Sequence, residues 1–381
     1  LAAGIPFAVD LHPHTCVIFL STPFALLAIV PFLCGNWIRV PGSIMPKVTI
    51  DNIEIEVPEG TTILQAARMI GERNSAERYV VPPTMCYYSS LEGSGGYCRT
   101  CLVKVAKGSE KDPRPIPKPV ASCRTAVQEG MVVENTLSPE VLDVRSGVTE
   151  YLLINHPLDC PICDQAGECH LQDLSYEHGL ATSRYQFERR TFDPIDIGET
   201  IKLHMTRCIL CYRCVKVAEQ ITDGRVHGVI NRGDVAEIST YIEQAIENDF
   251  SGNMIDVCPV GALTDRTFRF SARVWITKPM DAHRDCAQCS GKTVVWLKGQ
   301  DVLRVTGRKD QWGEVEEFIC NECRFVKKQL SDWIIEGPRN IDRHSVISQG
   351  HYVLETKQKV LDHPAPNVPE LAQLKPAKKS T

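Results

Sequence analysis

Residues 91–101 read LEGSGGYCRTC, three glycines (Gly93, Gly95 and Gly96) running into a Cys-x-x-Cys pair. Glycines let a loop wrap closely around a bound anion and turn its backbone N–H groups inward, which is what inorganic sulfide in a reduced cluster requires. Working outward, the pair belongs to the set Cys86-x11-Cys98-x2-Cys101-x21-Cys123. One distant cysteine, a close pair and a later fourth is the order of a two-iron site, although the first gap is longer than the plant-type spacing. A zinc ribbon is the alternative reading of the same four residues. The flanks indicate a small mixed domain. VTIDNIEIEV from Val48 alternates as a hairpin turning at Asp51-Asn52, TTILQAARMIGER reads as a helix capped by Thr61 or Thr62, and CLVKVA and MVVENT read as strands on either side of the surface loop KDPRPIPKP.

The remaining cysteines fall into equally tight groups. His156-x3-Cys160-x2-Cys163-x5-Cys169 places four ligands within fourteen residues, after a helical stretch capped by Ser138. Alone it fits either a zinc site of three cysteines and one histidine or a four-iron cluster in which imidazole replaces one thiolate. His170 is adjacent but out of register and reads as a surface residue or as a support for the ligands; His178 and His204 read as structural. Cys208-x2-Cys211-x2-Cys214, followed after 43 intervening residues by Cys258-Pro259, is similar to the bacterial ferredoxin run ending in Cys-Pro, and all four should ligate one four-iron cluster. Cys286-x2-Cys289-x30-Cys320-x2-Cys323 forms two symmetrical pairs around the strand-like TVVWLKGQDVLRVTG, and suits zinc or a third four-iron cluster.

These sites explain the one abnormal feature of an otherwise ordinary globular composition, 17 cysteines in 381 residues with 43% apolar and 23% charged residues. After Met45 the four sites consume every cysteine. Pairing as C-x-x-C favours metal over disulfides and implies a reducing compartment. A formal charge of -5 gives no basic field for a nucleic-acid partner. Residues 16–34, CVIFLSTPFALLAIVPFLC, are apolar enough to read as a membrane anchor, yet Pro23 and Pro31 interrupt them; the other reading places residues 1–45 outside the native fold. No G-x-G-x-x-G joins a strand to a helix, so the chain has no nicotinamide or flavin site of its own.

With this order of sites, residues 46–270 closely resemble the large iron-sulfur subunit of the peripheral arm of respiratory complex I, and residues 272–340 do so more loosely. The resemblance implies an α+β chain: a two-iron ferredoxin domain, β-grasp-like, over 46–137; a four-iron segment with one histidine and three cysteines over 138–185; a four-iron ferredoxin-like domain over 186–271; a small β metal domain over 272–340; and an extended tail over 341–381. It implies one 2Fe-2S cluster on Cys86, Cys98, Cys101 and Cys123, and 4Fe-4S clusters on His156, Cys160, Cys163 and Cys169 and on Cys208, Cys211, Cys214 and Cys258.

Family members with an extra four-iron site show C-x2-C-x3-C, where this chain has Thr293 at the third position, so Cys323 substitutes or the metal differs. Many members continue into a molybdopterin-enzyme-like domain, and this chain looks like a shortened form or a fragment. The implied role is a wire in a hetero-oligomer, taking electrons from a flavin subunit that oxidises NADH and delivering them toward quinone-reducing subunits. The implied place is the cytoplasmic face of a bacterial inner membrane, or the matrix side of a mitochondrial one, with the membrane reached through partners. Rival readings are an iron-sulfur diaphorase subunit of a soluble NAD-linked hydrogenase or formate dehydrogenase, and a zinc scaffold without redox role.

Overall fold

The hairpin at the start of the first domain turns where both central residues adopt left-handed backbone angles, Asp51 at φ 46° and Asn52 at φ 69°. That geometry matches the twist of its strands, β1 (Lys47–Ile50) and β2 (Ile53–Glu56). The Asp51 carboxylate then accepts hydrogen bonds from the backbone N–H groups of Asn135 and Thr136 at 2.7 and 2.9 Å, tying the turn to the end of the domain. The computed structural model describes residues 45–339 except 181, 182, 186, 187, 223, 225 and 242–244. The apolar leader and the C-terminal tail lie outside the described residues.

Helix α1 (Ile63–Arg73) begins at Thr62, whose hydroxyl accepts from the Gln65 N–H while the Gln65 side chain accepts from the Thr62 N–H. It crosses a five-stranded sheet of order β2-β1-β5-β3-β4, in which β5 (Met131–Glu134) runs parallel to β1 and the other pairs are antiparallel. β3 (Leu102–Lys107) lies between β5 and the short edge strand β4 (Val120–Ala121). Ile63, Ala66, Ala67 and Ile70 of the helix pack on Val48, Ile50, Val103, Val105 and Val133 of the sheet.

Helix α2 (Pro139–Leu153) follows with proline at its first position. Ser138 occupies the cap position, but its hydroxyl makes no capping bond, which corrects the expected role. The helix is anchored through Arg145, 1% exposed, which donates to the carbonyl oxygens of Thr100 and Leu102 and to the Asn135 side chain. Beyond it lie α3 (His170–His178), α4 (Arg213–Gln220), the hairpin β8 (His227–Ile230) and β9 (Glu237–Thr240), and α5 (Asn253–Val257). A small sheet of order β10-β7-β6 uses β6 (Ile195–Asp196), β7 (Ile201–Leu203) and β10 (Leu263–Asp265).

The last region is an antiparallel sheet of order β13-β12-β11-β14, comprising β11 (Lys278–His283), β12 (Thr293–Lys298), β13 (Asp301–Gly307) and β14 (Ile334–Pro338). It is fastened to what precedes it by buried charge. Arg68 of α1 pairs with Glu314 at 2.7 Å, Arg304 takes Glu168 through both carboxylate oxygens at 2.7 Å, and Arg324 pairs with Asp256 of α5 at 2.6 Å. Among the described residues, no helix is long and apolar enough to cross a membrane.

Candidate metal centres

Two members of the first quartet flank the five-stranded sheet, Cys101 just before β3 and Cys123 just after β4. Cys86, Cys98, Cys101 and Cys123 are all buried, and the N–H groups of Tyr97 and Cys98 donate to the Cys86 sulfur at 3.3 and 3.4 Å. The three glycines differ in what they do. Gly95, at φ +97°, faces a sulfur: a Cβ there would lie 3.2 Å from Cys123 Sγ. Gly96, at φ +87°, packs on the Arg124 side chain, and Gly93 is exposed, its carbonyl accepting from Arg124. Donors aimed at sulfur and a cradle that a Cβ would fill are what a buried thiolate-bound sulfide cluster needs.

The second quartet mixes exposure and burial. Cys160 is exposed, whereas Cys163 and Cys169 are buried, and burial pushes the Cys169 thiol up to about 12. Burial, reinforced by the Arg207 charge, brings His156 down to about 4 and so keeps its ring neutral. Its Nδ1 atom is buried without a hydrogen-bond partner, an orphaned polar atom that a metal would satisfy. Arg207, 3% exposed, reaches across to Asp159 with bonds of 3.0 and 2.9 Å and braces the loop between His156 and Cys160. Gly261 lines the same place: a Cβ there would come within 2.1 Å of Cys163 Sγ. His170 is half-buried, with its ring against Gly313, rather than on the surface.

The third quartet lines a cavity shared with Leu203, Ile209, Ile238, Val260 and Leu263. Its loop is bent open by two bulky residues in the left-handed region, Leu210 at φ 51° and Tyr212 at φ 64°. Such angles cost energy for side chains of that size and persist where surroundings enforce them. They turn the Leu210 N–H onto Cys208 Sγ at 3.3 Å. Cys214 enters α4, and Cys258 follows the last residue of α5. Burial pushes Cys211 up to about 12 and raises Cys208, Cys214 and Cys258 as well. Without a positive centre these sulfurs hold their protons, and a metal ion displaces them.

The fourth quartet has a different form. Cys286 Sγ lies 3.7 Å from Cys320 Sγ, and Cys289 Sγ lies 3.7 Å from those of both Cys320 and Cys323. The donor set can hold a further metal or cluster. Burial pushes Cys286 up, but the N–H groups of Gln288 and Cys289 outweigh it and bring the thiol down to about 7. Thr293 is fully buried at the start of β12.

The spatial order of the first three quartets differs from their order in the sequence. The third lies between the other two. Toward the first, Arg213 beside Cys214 donates to the carbonyls of Tyr87 and Val257, the neighbours of Cys86 and Cys258, at 2.7 and 3.3 Å. Tyr97 and Tyr212, neighbours of Cys98 and Cys211, stack with centroids 4.5 Å apart. Toward the second, the His170 N–H donates to the Pro259 carbonyl at 3.2 Å, and Gly261 abuts Cys163. Cys86, Cys98, Cys169, Cys211, Cys214 and Cys258 share one core. Spacing alone does not single out Arg207, Arg213, Tyr97, Tyr212 or Gly261; the signal visible in the sequence is that each is next to a ligand cysteine or close behind Cys258-Pro259.

Three family patterns match in register with this geometry. Residues 45–137 match a 2Fe-2S iron-sulfur cluster binding domain, residues 145–184 the NADH-ubiquinone oxidoreductase-G iron-sulfur binding region, and residues 198–264 the ferredoxin-like domain of NADH-quinone oxidoreductase subunit 3. The chain is 41% identical over 299 residues to the G subunit of the NADH-quinone oxidoreductase of Rickettsia bellii, covering 77% of this chain and 40% of that protein. The chain is a homologue of that G subunit. Its counterpart in Rickettsia prowazekii is 44% identical over 295 residues, covering 77% of this chain and 41% of its own length. The NADH-ubiquinone oxidoreductase 75 kDa subunit of Reclinomonas americana is 36% identical over 328 residues, covering 86% and 44%. The chain thus spans about two fifths of the length of these G-subunit relatives. Among solved structures, a chain of an NAD+-reducing [NiFe]-hydrogenase in the H2-reduced state superposes with a TM-score of 0.51 at 25% identity, covering 60% of this chain and 91% of that one. The matches show a 2Fe-2S domain followed by 4Fe-4S regions in a mixed α/β chain with small sheets.

Proposed function

We propose that the chain is an electron-transfer subunit of a complex I-type NADH:quinone oxidoreductase, holding one 2Fe-2S and two 4Fe-4S clusters in a row. The observation that carries this is the shared core of the first three quartets, with the third between the first and the second. Cys86, Cys98, Cys101 and Cys123 hold the two-iron cluster in a β-grasp-like domain, residues 46–137. His156, Cys160, Cys163 and Cys169 hold one four-iron cluster within 138–185, and Cys208, Cys211, Cys214 and Cys258 the other within 186–271. Residues 272–340 form the fourth domain.

The clusters supply one-electron chemistry when bound; the protein supplies position, burial and N–H···S donors. Arg213 and the Tyr97–Tyr212 pair fix the first and third sites against each other, and Pro259 and Gly261 fix the third against the second. The neutral ring of His156 leaves the second cluster less negative than four thiolates would. Electrons enter from a flavin subunit that oxidises NADH, and leave toward quinone-side subunits peripheral to a membrane. The hydrogenase likeness favours a second reading, a wire in a soluble NAD-linked hydrogenase; copurification with membrane subunits separates the two. The test of the wire is iron analysis with low-temperature electron paramagnetic resonance after dithionite reduction. About ten irons in one two-iron and two four-iron signals supports it, and a colourless zinc protein sinks it.

A further inference from the structure

The fourth quartet is too small for a cubane. Three of its sulfur pairs are each 3.7 Å apart, and all four sulfurs lie within 4.8 Å of one another. Among the described residues no other group of three or more cysteine, histidine or carboxylate ligand atoms converges so closely. A disulfide is excluded, since bonded sulfurs stand about 2.05 Å apart. Four thiolates around one zinc ion, with Zn–S bonds of about 2.3 Å, form a tetrahedron whose edge is about 1.63 times longer, about 3.8 Å. In a four-iron cluster each thiolate takes a different iron with sulfide between them, so its sulfurs stand farther apart than one ion can span.

The surroundings suit a single ion as well. The Gly291 N–H donates to Cys289 Sγ at 3.4 Å and the Cys323 N–H to Cys320 Sγ at 3.5 Å, so each pair turns a backbone donor onto its own first or second sulfur. Arg284 donates to Cys323 Sγ at 3.5 Å, offsetting the net negative charge of four thiolates on a divalent ion. We propose that Cys286, Cys289, Cys320 and Cys323 hold one zinc ion in a closed tetrathiolate site with a structural role. A site with four protein ligands leaves no position for water or substrate.

The ion locks the Cys320–Cys323 turn, and this turn grips the segment leading to Cys258. Asn321 accepts from the Gly252 N–H at 2.9 Å, and Arg324 reaches Asn253 at 3.1 Å and Asp256 at 2.6 Å. Gly252 has no room for a side chain, because a Cβ would come within 2.6 Å of Arg324. The zinc therefore holds the last domain in place beside the third quartet without carrying electrons.

The test is zinc and iron quantification with zinc-edge X-ray absorption on the anaerobically purified full chain from cells supplied with both metals. Cys286→Ser and Cys289→Ser variants are prepared in parallel. The expected result is one zinc per chain with four sulfur neighbours and no iron neighbour, lost in each variant while the iron content and reduced-state resonance signals remain. The absorption spectrum of the unaltered chain stands even where a variant fails to fold. Absence of zinc, one iron in its place, four irons lost on substitution, or zinc retained by both folded variants would each overturn the assignment.

Discussion

The third and fourth quartets use the same local unit and reach different geometries. Both are built from Cys-x-x-Cys spacing, and both attach to α5: Cys258 at its end, and the Cys320–Cys323 turn along its side through Arg324. In the third, left-handed Leu210 and Tyr212 bow the loop outward and its cysteines line a cavity among apolar side chains. In the fourth, the Cys286–Cys289 loop meets the pair that enters the short helical segment Glu322–Val326, and their sulfurs come to 3.7 Å. The spacing therefore states that metal is held, and the backbone angles between the cysteines decide whether the space fits a cluster or an ion.

Substitution at the centre of the third quartet should give the largest effect. Cys211→Ala is expected to abolish one four-iron resonance signal and to cut electron passage between the other two clusters by orders of magnitude, since the third site lies between them. The two-iron signal and the zinc should remain. Loss of zinc together with the iron would mean that the two regions fold as one metal-dependent unit, and the contrast would fail. Gly261→Ala should be nearly as severe for the second cluster alone. The added carbon would sit 2.1 Å from Cys163 Sγ, so loss of that cluster's signal with the two-iron signal intact is the expected spectrum. A third change probes the clasp between the regions. Arg324→Met leaves Asp256 buried with the Gly307 N–H but without its ion-pair partner, which should cost about 3–5 kcal/mol in denaturant unfolding of the cluster-loaded chain. A shift no larger than that of a surface substitution would show that the ion pair does not join the two regions.

Much of the local fold is legible in the sequence because short-range chemistry fixes it. Asp51-Asn52 specifies the hairpin, and of the two cap candidates for the first helix it is Thr62 that closes it, with Gln65. Ser138 departs from expectation: it holds the cap position ahead of Pro139, but its hydroxyl makes no capping bond. The ligand candidates are visible through spacing, but their spatial sequence is not. The third quartet falls between the first and second because Arg213 and Pro259 make contacts 126 and 89 residues away along the chain, as the Tyr87 and His170 bonds show. No periodicity reports such contacts. Size is equally hidden: Cys-x-x-Cys is written the same way for a sulfide cluster and for zinc.

The smallest expected effect separates the two regions by what they can register. Arg284 donates to Cys323 Sγ at 3.5 Å and lies 3.6 Å from Glu322, and although burial lowers it, its bond to Cys323 and the nearby thiolates outweigh that and hold it above the usual arginine range. Arg284→Gln removes a positive charge from the fourth quartet while leaving all its sulfurs. Zinc has one oxidation state, so no cluster potential should move in a redox titration, and the change should appear only as a modest weakening of zinc retention against a chelator. A cluster in the same place would respond otherwise: losing a charged donor to a ligand sulfur makes reduction harder, and its midpoint would fall. A shifted midpoint in this variant would thus place a redox centre among Cys286, Cys289, Cys320 and Cys323, and an unshifted set would keep the electron path within the first three quartets.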